Sequence, residues 1–334
     1  MKASDSLFPL VQSFFCDHLK KVRGASPHTV AAYRDAMRLF LQFLADRRGL
    51  PVARLQLTDL EVEAVAGFLQ HLEEQRHNSI ATRNCRRIAL RAFFQHALRQ
   101  DPSRANQFAR VLALPPKRCA QPLPRSLEPS QMRRLLAQPD RRTLSGQRDY
   151  ALLLFLYNTG VRISEAVAVC RRDLQFVVPY HVRVQGKGGK ARFCPLWPTT
   201  MAALKPLLTH RPDPAEPLFH SCRRTPLTRH GAQYVLTKYA TMANHVDPSF
   251  PSRISPHMLR HSCACALLQA GVDLTVIRDY LGHASIATTS RYANSNLKLK
   301  RAALESFWEH AGLATPHIPP WRPRKSLLNF LASV

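Results

Sequence analysis

Acidic side chains are scarce in this sequence: 22 Asp and Glu stand against 48 Lys and Arg, leaving a formal charge of +26 at pH 7. A surplus of that size exceeds what solubility asks for and surrounds the molecule with a field that attracts polyanions. Nucleic acid is the leading partner on this ground, although a basic membrane-surface protein or a ribosome-associated one carries the same charge signature. Paired cysteines are lacking as well. Cys16, Cys85, Cys119, Cys170, Cys194, Cys222, Cys263 and Cys265 form no C-x-x-C pair and are scattered through a long chain. They indicate neither a disulfide framework nor a zinc site, so no metal is expected. Cys263 and Cys265, one residue apart on a predicted helix, point to different faces. No apolar run approaches the roughly 18 residues of a membrane span. The start MKASDSLFPL also lacks the long apolar stretch of a secretory signal. A soluble, cytoplasmic protein without a membrane partner is expected.

What is present suffices for two hydrophobic cores, since 334 residues with 45% hydrophobic content exceed one compact domain. The first stretch reads as helices only. Ser26-Pro27 is an N-cap with Pro at the first helical position, and Tyr33, Met37, Phe40, Leu41 and Leu44 recur at helical spacing to about Arg47. Thr58 with Glu61 has the form of a capping box opening a second helix through Phe68 and Leu72. Asn78 starts a third, with Leu90, Phe93, Phe94 and Ala97 on one apolar face. That helix also carries Arg83, Arg86, Arg87 and Arg91, which read equally as a solvated face or as contacts to DNA phosphates.

From Leu114 to Pro129 the sequence LPPKRCAQPLPRSLEP has no periodic apolar pattern and marks a linker whose Lys117, Arg118 and Arg125 make it basic. Two domains joined by such a strap could close around a duplex. The expected division is therefore a helical domain over 1–113, a linker over 114–129, a second domain over 130–312 and a tail over 313–334. The second domain opens with a helix near Ser130 and a very apolar one, DYALLLFLYNTG, closed by Gly160. A short helix follows from about Ile163 to Val169. The stretch 177–195 alternates around Gly-Lys-Gly-Gly and predicts a β-hairpin. Everything after about Pro198 reads as helix, with starts at Ser255-Pro256, Asp273 and Ser285. The final apolar SLLNFLASV, on the Pro-rich tether TPHIPPWRPRK, either docks on a neighbour or folds back on its own domain.

Moving a phosphodiester to a new hydroxyl without a metal needs cations for the phosphorane-like charge, a positioned nucleophile and an acid for the departing 5′ oxygen. Arginine suits the first task because its planar fork grips two phosphate oxygens and never loses its proton. TGVRISEA sets Arg162 directly after a Gly-terminated helix, with Glu165 a turn further on. SPHMLRHS puts His257 and Arg260 on one face at the start of a helix, where the helix N-terminus also favours an anion. LGHASIATTSRYAN places His283 in a turn after Gly282, nine residues before Tyr292. Singly, each of these is more often a structural or surface residue; their order and spacing set them apart.

Together these segments resemble the signature of the tyrosine recombinase, or phage integrase, family, in the pattern of the Xer recombinases. That family joins an Arg in TG-x-R-x-S-E, a hairpin Lys, H-x-x-R, an L-G-H segment and a Tyr nine residues later, matched here by Arg162, Lys187 in QGKGGK, His257 and Arg260, His283, and Tyr292. The resemblance spans roughly Ser26 to Gly312. It implies a mainly α fold: an all-helical N-terminal core-binding (SAM-like) domain plus a mixed, mostly helical catalytic domain with a small antiparallel β-sheet. It further implies that Tyr292 attacks the scissile phosphate to leave a 3′-phosphotyrosyl bond and a free 5′ hydroxyl. Arg162 and Arg260 would hold the non-bridging oxygens, His283 would add a donor, and His257 would accept or tune the tyrosine proton. Lys187 would be the general acid, with Lys190 as its competitor, and Glu165 would orient the site. No cofactor is implied, since the phosphotyrosyl bond matches in kind the phosphodiester it replaces.

Double-stranded DNA is the implied partner, gripped by a C-shaped clamp, with a homo-oligomer acting as a tetramer on two sites or together with related recombinases. A type IB topoisomerase and a non-cutting DNA-binding accessory protein are the alternatives. The role, whether chromosome-dimer resolution, integration or transposition, and the target sequence lie beyond any spacing argument.

Overall fold

Ser26 and Pro27 open a 22-residue helix as their pairing predicts: the Ser26 hydroxyl accepts from the Thr29 N–H, and Gly49, in the left-handed region, closes the far end. In the computed structural model, which describes residues 6–119, 125–186, 189–209 and 213–282, this is the second helix of an all-helical unit. The chain divides into two compact units, Met1–Gln121 and Pro122–Val334. The division falls inside the Pro-rich stretch. The first unit contains α1 (Leu7–Ser13), which runs on as a π-helical turn over Phe14–Val22, then α2 (Pro27–Arg48), α3 (Val62–Glu74), α4 (Ile80–Gln100) and α5 (Ala105–Leu112). Leu90, Phe93, Phe94 and Ala97 all turn inward and meet Phe14, Phe40, Phe68 and Phe108 in one core. Truncating one of these rings to Ala costs about 3–5 kcal/mol in typical cores.

Two helix starts differ from expectation. α3 begins at Val62, and Thr58 lies instead in a 3-10 turn whose reciprocal bonds join Gln56 and Asp59. α4 is capped by Ser79, whose hydroxyl accepts from the Thr82 N–H at 3.2 Å, one residue after Asn78. Both shifts arise because neighbouring polar residues compete for the same role at a helix start, and tertiary packing selects among them.

In the second unit, α6 (Pro129–Leu136) precedes α7 (Leu144–Thr159), in which Ala151 through Leu156 are all buried. That continuous burial explains why DYALLLFLYNTG shows no polar face. α8 is shorter than expected, Ile163–Ala166. The hairpin forms as β2 (His181–Gln185) paired antiparallel with β3 (Ala191–Pro195). A two-residue strand, β1 (Leu174–Gln175), joins the other edge of β2 in the order β1-β2-β3 and was not anticipated. Helix resumes as α9 (Pro198–Leu208), α10 (Arg229–Val246), α11 (Pro256–Gln269) and α12 (Leu274–Leu281). Contrary to the all-helical expectation after Pro198, isolated bridges join Cys170 to Pro217 and His220 to Pro226. Ser255 and Asp273 cap α11 and α12 as predicted; the start expected at Ser285 and the tail lie outside the described residues. Among the described residues no helix is long and apolar enough to cross a membrane.

Candidate active site

Gly160 is where the site begins. It ends α7 with φ +58°, and a Cβ there would sit 2.5 Å from Leu281 Cδ2 and 3.1 Å from Cys263 Sγ. Only glycine accepts both that backbone and that contact. Its absent side chain lets α7, α11 and α12 converge, and Arg260 uses the convergence. From the first turns of α11, the buried Arg260 guanidinium donates from Nη1 to Gly160 O at 2.6 Å and from Nη2 to Leu281 O at 2.7 Å. These carbonyls stand at the ends of α7 and α12, where the helices themselves leave acceptors unsatisfied and concentrate partial negative charge.

Two residues past Gly160, Arg162 precedes α8 with its side chain 38% exposed, enough to meet a ligand. Glu165 holds it at both ends. The Arg162 backbone N–H donates to Glu165 Oε2 at 3.0 Å, and its Nη1 donates to Oε1 at 2.8 Å. The same carboxylate takes a second arginine: Arg192, on β3, donates from Nη2 to Oε2 at 2.7 Å and from Nε to Tyr280 O at 3.0 Å. Burial alone would raise the Glu165 carboxyl, but the hydrogen bonds from Arg192 and Arg162 outweigh it and hold the pKa below the ordinary carboxylate value. Glu165 is therefore a fixed anion between two cations.

Arg192 escaped the sequence reading. Its signal was available in principle, because it lies two residues before Cys194 and so shares that residue's inward face of β3, but strand alternation cannot name the partners an Arg on that face will meet. His257 lies one turn ahead of Arg260 on α11 and is exposed. Lys190 is exposed beside the hairpin turn, where its carbonyl accepts from the Gly186 N–H at 2.8 Å. Lys187, His283 and Tyr292 lie outside the described residues. Among the described residues, Tyr280 adjoins Arg192 through its backbone carbonyl. Its phenol donates to Asn158 O at 2.6 Å, and burial drives its pKa far above the ordinary value, so it is committed to structure.

The predicted DNA contacts of the first unit lie along α4. Arg83 pairs with Glu73, as does Lys117 at 2.6 Å. Arg87 donates to Leu114 O at 2.8 Å, and Arg91 bonds Leu112 O. Arg86 is half-buried, and its Nη1 meets no acceptor among the described residues. Burial, with Arg76 nearby, pushes its pKa down; burial and the neighbouring Arg91 and Arg83 do the same to Arg87. Arg118 is exposed. Among the described residues no cluster of His, Cys, Asp and Glu forms a metal-binding group.

A mainly helical second unit that draws Arg162 and Arg192 around the Glu165 carboxylate presents fixed guanidinium groups, a feature suited to anion binding. Comparison with known proteins narrows that reading. Residues 125–298 match the phage integrase family and residues 13–101 its N-terminal SAM-like domain. A Sinorhizobium fredii protein named integrase/recombinase y4rC is 40% identical over 98% of both chains. A Pelobacter propionicus protein named tyrosine recombinase XerC is 33% identical over 84% of this chain and 89% of its own length. In fold, the chain resembles the Tn1549 transposon integrase in complex with transposon right end DNA, at a TM-score of 0.68 and 18% identity over 89% of this chain and 98% of that one. It likewise resembles the XerH recombinase bound to palindromic difH substrate, at a TM-score of 0.65 and 23% identity over 92% and 90%. The chain belongs to the phage integrase family of tyrosine recombinases and is a site-specific DNA recombinase.

Proposed function

We propose that this recombinase cuts and rejoins duplex DNA through a 3′-phosphotyrosyl intermediate on Tyr292, in the service of a mobile element. The observation that carries the reading is the pair of hydrogen bonds that buried Arg260 donates to Gly160 O and Leu281 O. It ties the H-x-x-R helix both to the root of the TG-x-R segment and to the end of the helix that runs into L-G-H. Motifs distant in sequence thus share one locus, as a single-phosphate site requires. In the first half-reaction the Tyr292 oxygen bonds to phosphorus as the bond to the 5′ oxygen breaks. Arg162 and Arg260 neutralise the non-bridging oxygens, with His283 as a further donor. His257 takes or tunes the phenol proton, and Lys187, with Lys190 as the competing candidate, protonates the leaving 5′ oxygen. A 5′ hydroxyl then attacks the phosphotyrosine and regenerates the phenol, so each linkage broken is replaced by one of equal kind. Glu165 keeps Arg162 aimed.

The six candidate cations Arg83, Arg86, Arg87, Arg91, Lys117 and Arg118 supply phosphate contacts from the first domain, 1–113, and the linker, 114–129. Residues 130–312 form the catalytic domain. A tetramer on two DNA sites, or joint action with related recombinases, is the assembly this chemistry calls for. The full-length likeness to a protein named integrase/recombinase supports integration, excision or transposition ahead of chromosome-dimer resolution.

The test is a nicked suicide substrate, on which cleavage traps the enzyme covalently. The wild-type protein should give a denaturant-resistant adduct that Tyr292→Phe does not form. Tight binding with no adduct would refute the reading in favour of an accessory role. Supercoil relaxation without two-site recombination would instead indicate a topoisomerase.

A further inference from the structure

Arg192 occupies a position that the phosphate chemistry above does not use, yet it bonds two separate parts of the site's framework. Its side chain is 12% exposed, and its guanidinium bonds Glu165 Oε2 and Tyr280 O. The neighbouring carbonyl, Leu281 O, is taken by Arg260. Two arginines from different elements therefore hold consecutive carbonyls at the C-terminus of α12, where orphan acceptors and the helix dipole favour cations. The fit is close: a Cβ on Gly282, at φ +68°, would come within 3.0 Å of Arg192 Nη1. On its other side Glu165 passes the contact to Arg162 at 2.8 Å. The bonds run in sequence from Arg162 through Glu165 and Arg192 to α12, and from α12 through Leu281 to Arg260 and back to Gly160, two residues from Arg162.

We infer that Arg192 is a positioning residue that holds Arg162 and Arg260 in register for the two non-bridging oxygens of one phosphate, acting through Glu165 and the C-terminus of α12. Arg192 itself does not touch the phosphate. Without it, Glu165 keeps Arg162 as its side-chain cation among the described residues, and Tyr280 O is left with the weak Cys194 thiol as donor. Arg162 stays bonded to Glu165, but the pair loses its tie to α12 and can shift together. A planar, five-donor group is needed to reach a carboxylate and a carbonyl at once, so lysine replaces it poorly.

The inference rests on the proposed chemistry, and the experiment separates the two. Single-turnover cleavage is compared on a suicide substrate with an ordinary scissile phosphate and on one whose scissile phosphate is a methylphosphonate, each stereoisomer in turn. The methylphosphonate carries one fewer negative charge, which lessens the need for a correctly placed arginine. Arg192→Ala should slow cleavage of the ordinary phosphate by about 100-fold, the scale set by misplacing a catalytic group by an ångström. On at least one methylphosphonate isomer the deficit should shrink by about tenfold or more, as it should for Arg162→Ala. Arg192→Lys, which retains charge, provides the second variant should the alanine protein not fold, and the same contraction is expected of it. An equal deficit on all substrates, or no deficit on the ordinary phosphate, overturns the positioning role. If the wild-type protein itself forms no Tyr292-dependent adduct on the ordinary phosphate, the underlying chemistry has failed instead.

Discussion

The arginines of the two units live under opposite conditions. In the second unit, the guanidinium groups of Arg162, Arg192 and Arg260 bond the Glu165 carboxylate or helix-end carbonyls, so these cations are fixed before any DNA arrives. Along α4 burial and then neighbouring cations weigh on the arginines: Arg91 and Arg83 on Arg87, and Arg76, before the helix, on Arg86. Several of them are spent on Glu73 or on the carbonyls of Leu112 and Leu114. The contrast separates preorganisation, which chemistry demands at one phosphate, from accumulated charge, which serves binding along many phosphates.

The comparison breaks most sharply at Arg260. Arg260→Ala leaves Gly160 O and Leu281 O without their donor, and we expect a loss of roughly 3 kcal/mol in denaturant unfolding. Cleavage on the suicide substrate should fall by a further factor of about 10³, as when one transition-state donor is removed. An active, fully stable variant would dissolve the distinction between the units. Next in size is Glu165→Gln. Because the folded pKa of Glu165 is depressed, its carboxylate contributes stability that is complete above the ordinary carboxylate range and is lost as pH falls through the depressed value. Glu165→Gln should therefore lower stability at neutral pH and flatten the acid limb of the melting curve; an unchanged acid limb would remove Glu165 from the frame.

On α4 the effects should be smaller and of another kind. Arg86→Ala, which removes a guanidinium whose Nη1 meets no acceptor among the described residues, should weaken DNA binding uniformly and reduce the slope of log K against log salt by about 1, with unfolding unchanged. Arg87→Ala should instead reduce stability, since Leu114 O loses a donor. If the two behave alike, the division between structural and binding cations on this helix is wrong.

The smallest effect is expected at His96, buried against Ser13 (2.8 Å) and stacked on His18. Burial, with His18 and Arg99 nearby, lowers its pKa below the usual 6.5. For a base whose folded pKa is depressed, stability is intact above 6.5 and declines as pH drops below it. His96→Gln should remove that part of the decline in melting temperature between neutral and mildly acid pH.

Much of this was readable in advance, and the failures have identifiable causes. Ser26-Pro27, Ser255-Pro256, Asp273 and Gly160 mark helix ends because capping chemistry is local: one side chain and a few amides decide it. Thr58 misled because Gln56 and Asp59 form a competing local box. β1 was invisible because two residues carry no period, and its pairing to β2 is a long-range event. Arg192 was missed for the same reason. Nothing within β3 announces that its partners are Glu165 and Tyr280, which lie far away along the chain.

By itself, then, the sequence determined the charge, the two-part organisation, most helix boundaries and the order of the chemistry-bearing motifs, because each depends on composition or on neighbours within a turn or two. Only the tertiary structure decided which cations face acceptors and which face one another. Guanidinium groups read alike in a string of letters; their roles separate when packing brings a carboxylate and the open ends of α7 and α12 to three of them and leaves others on α4 among like charges.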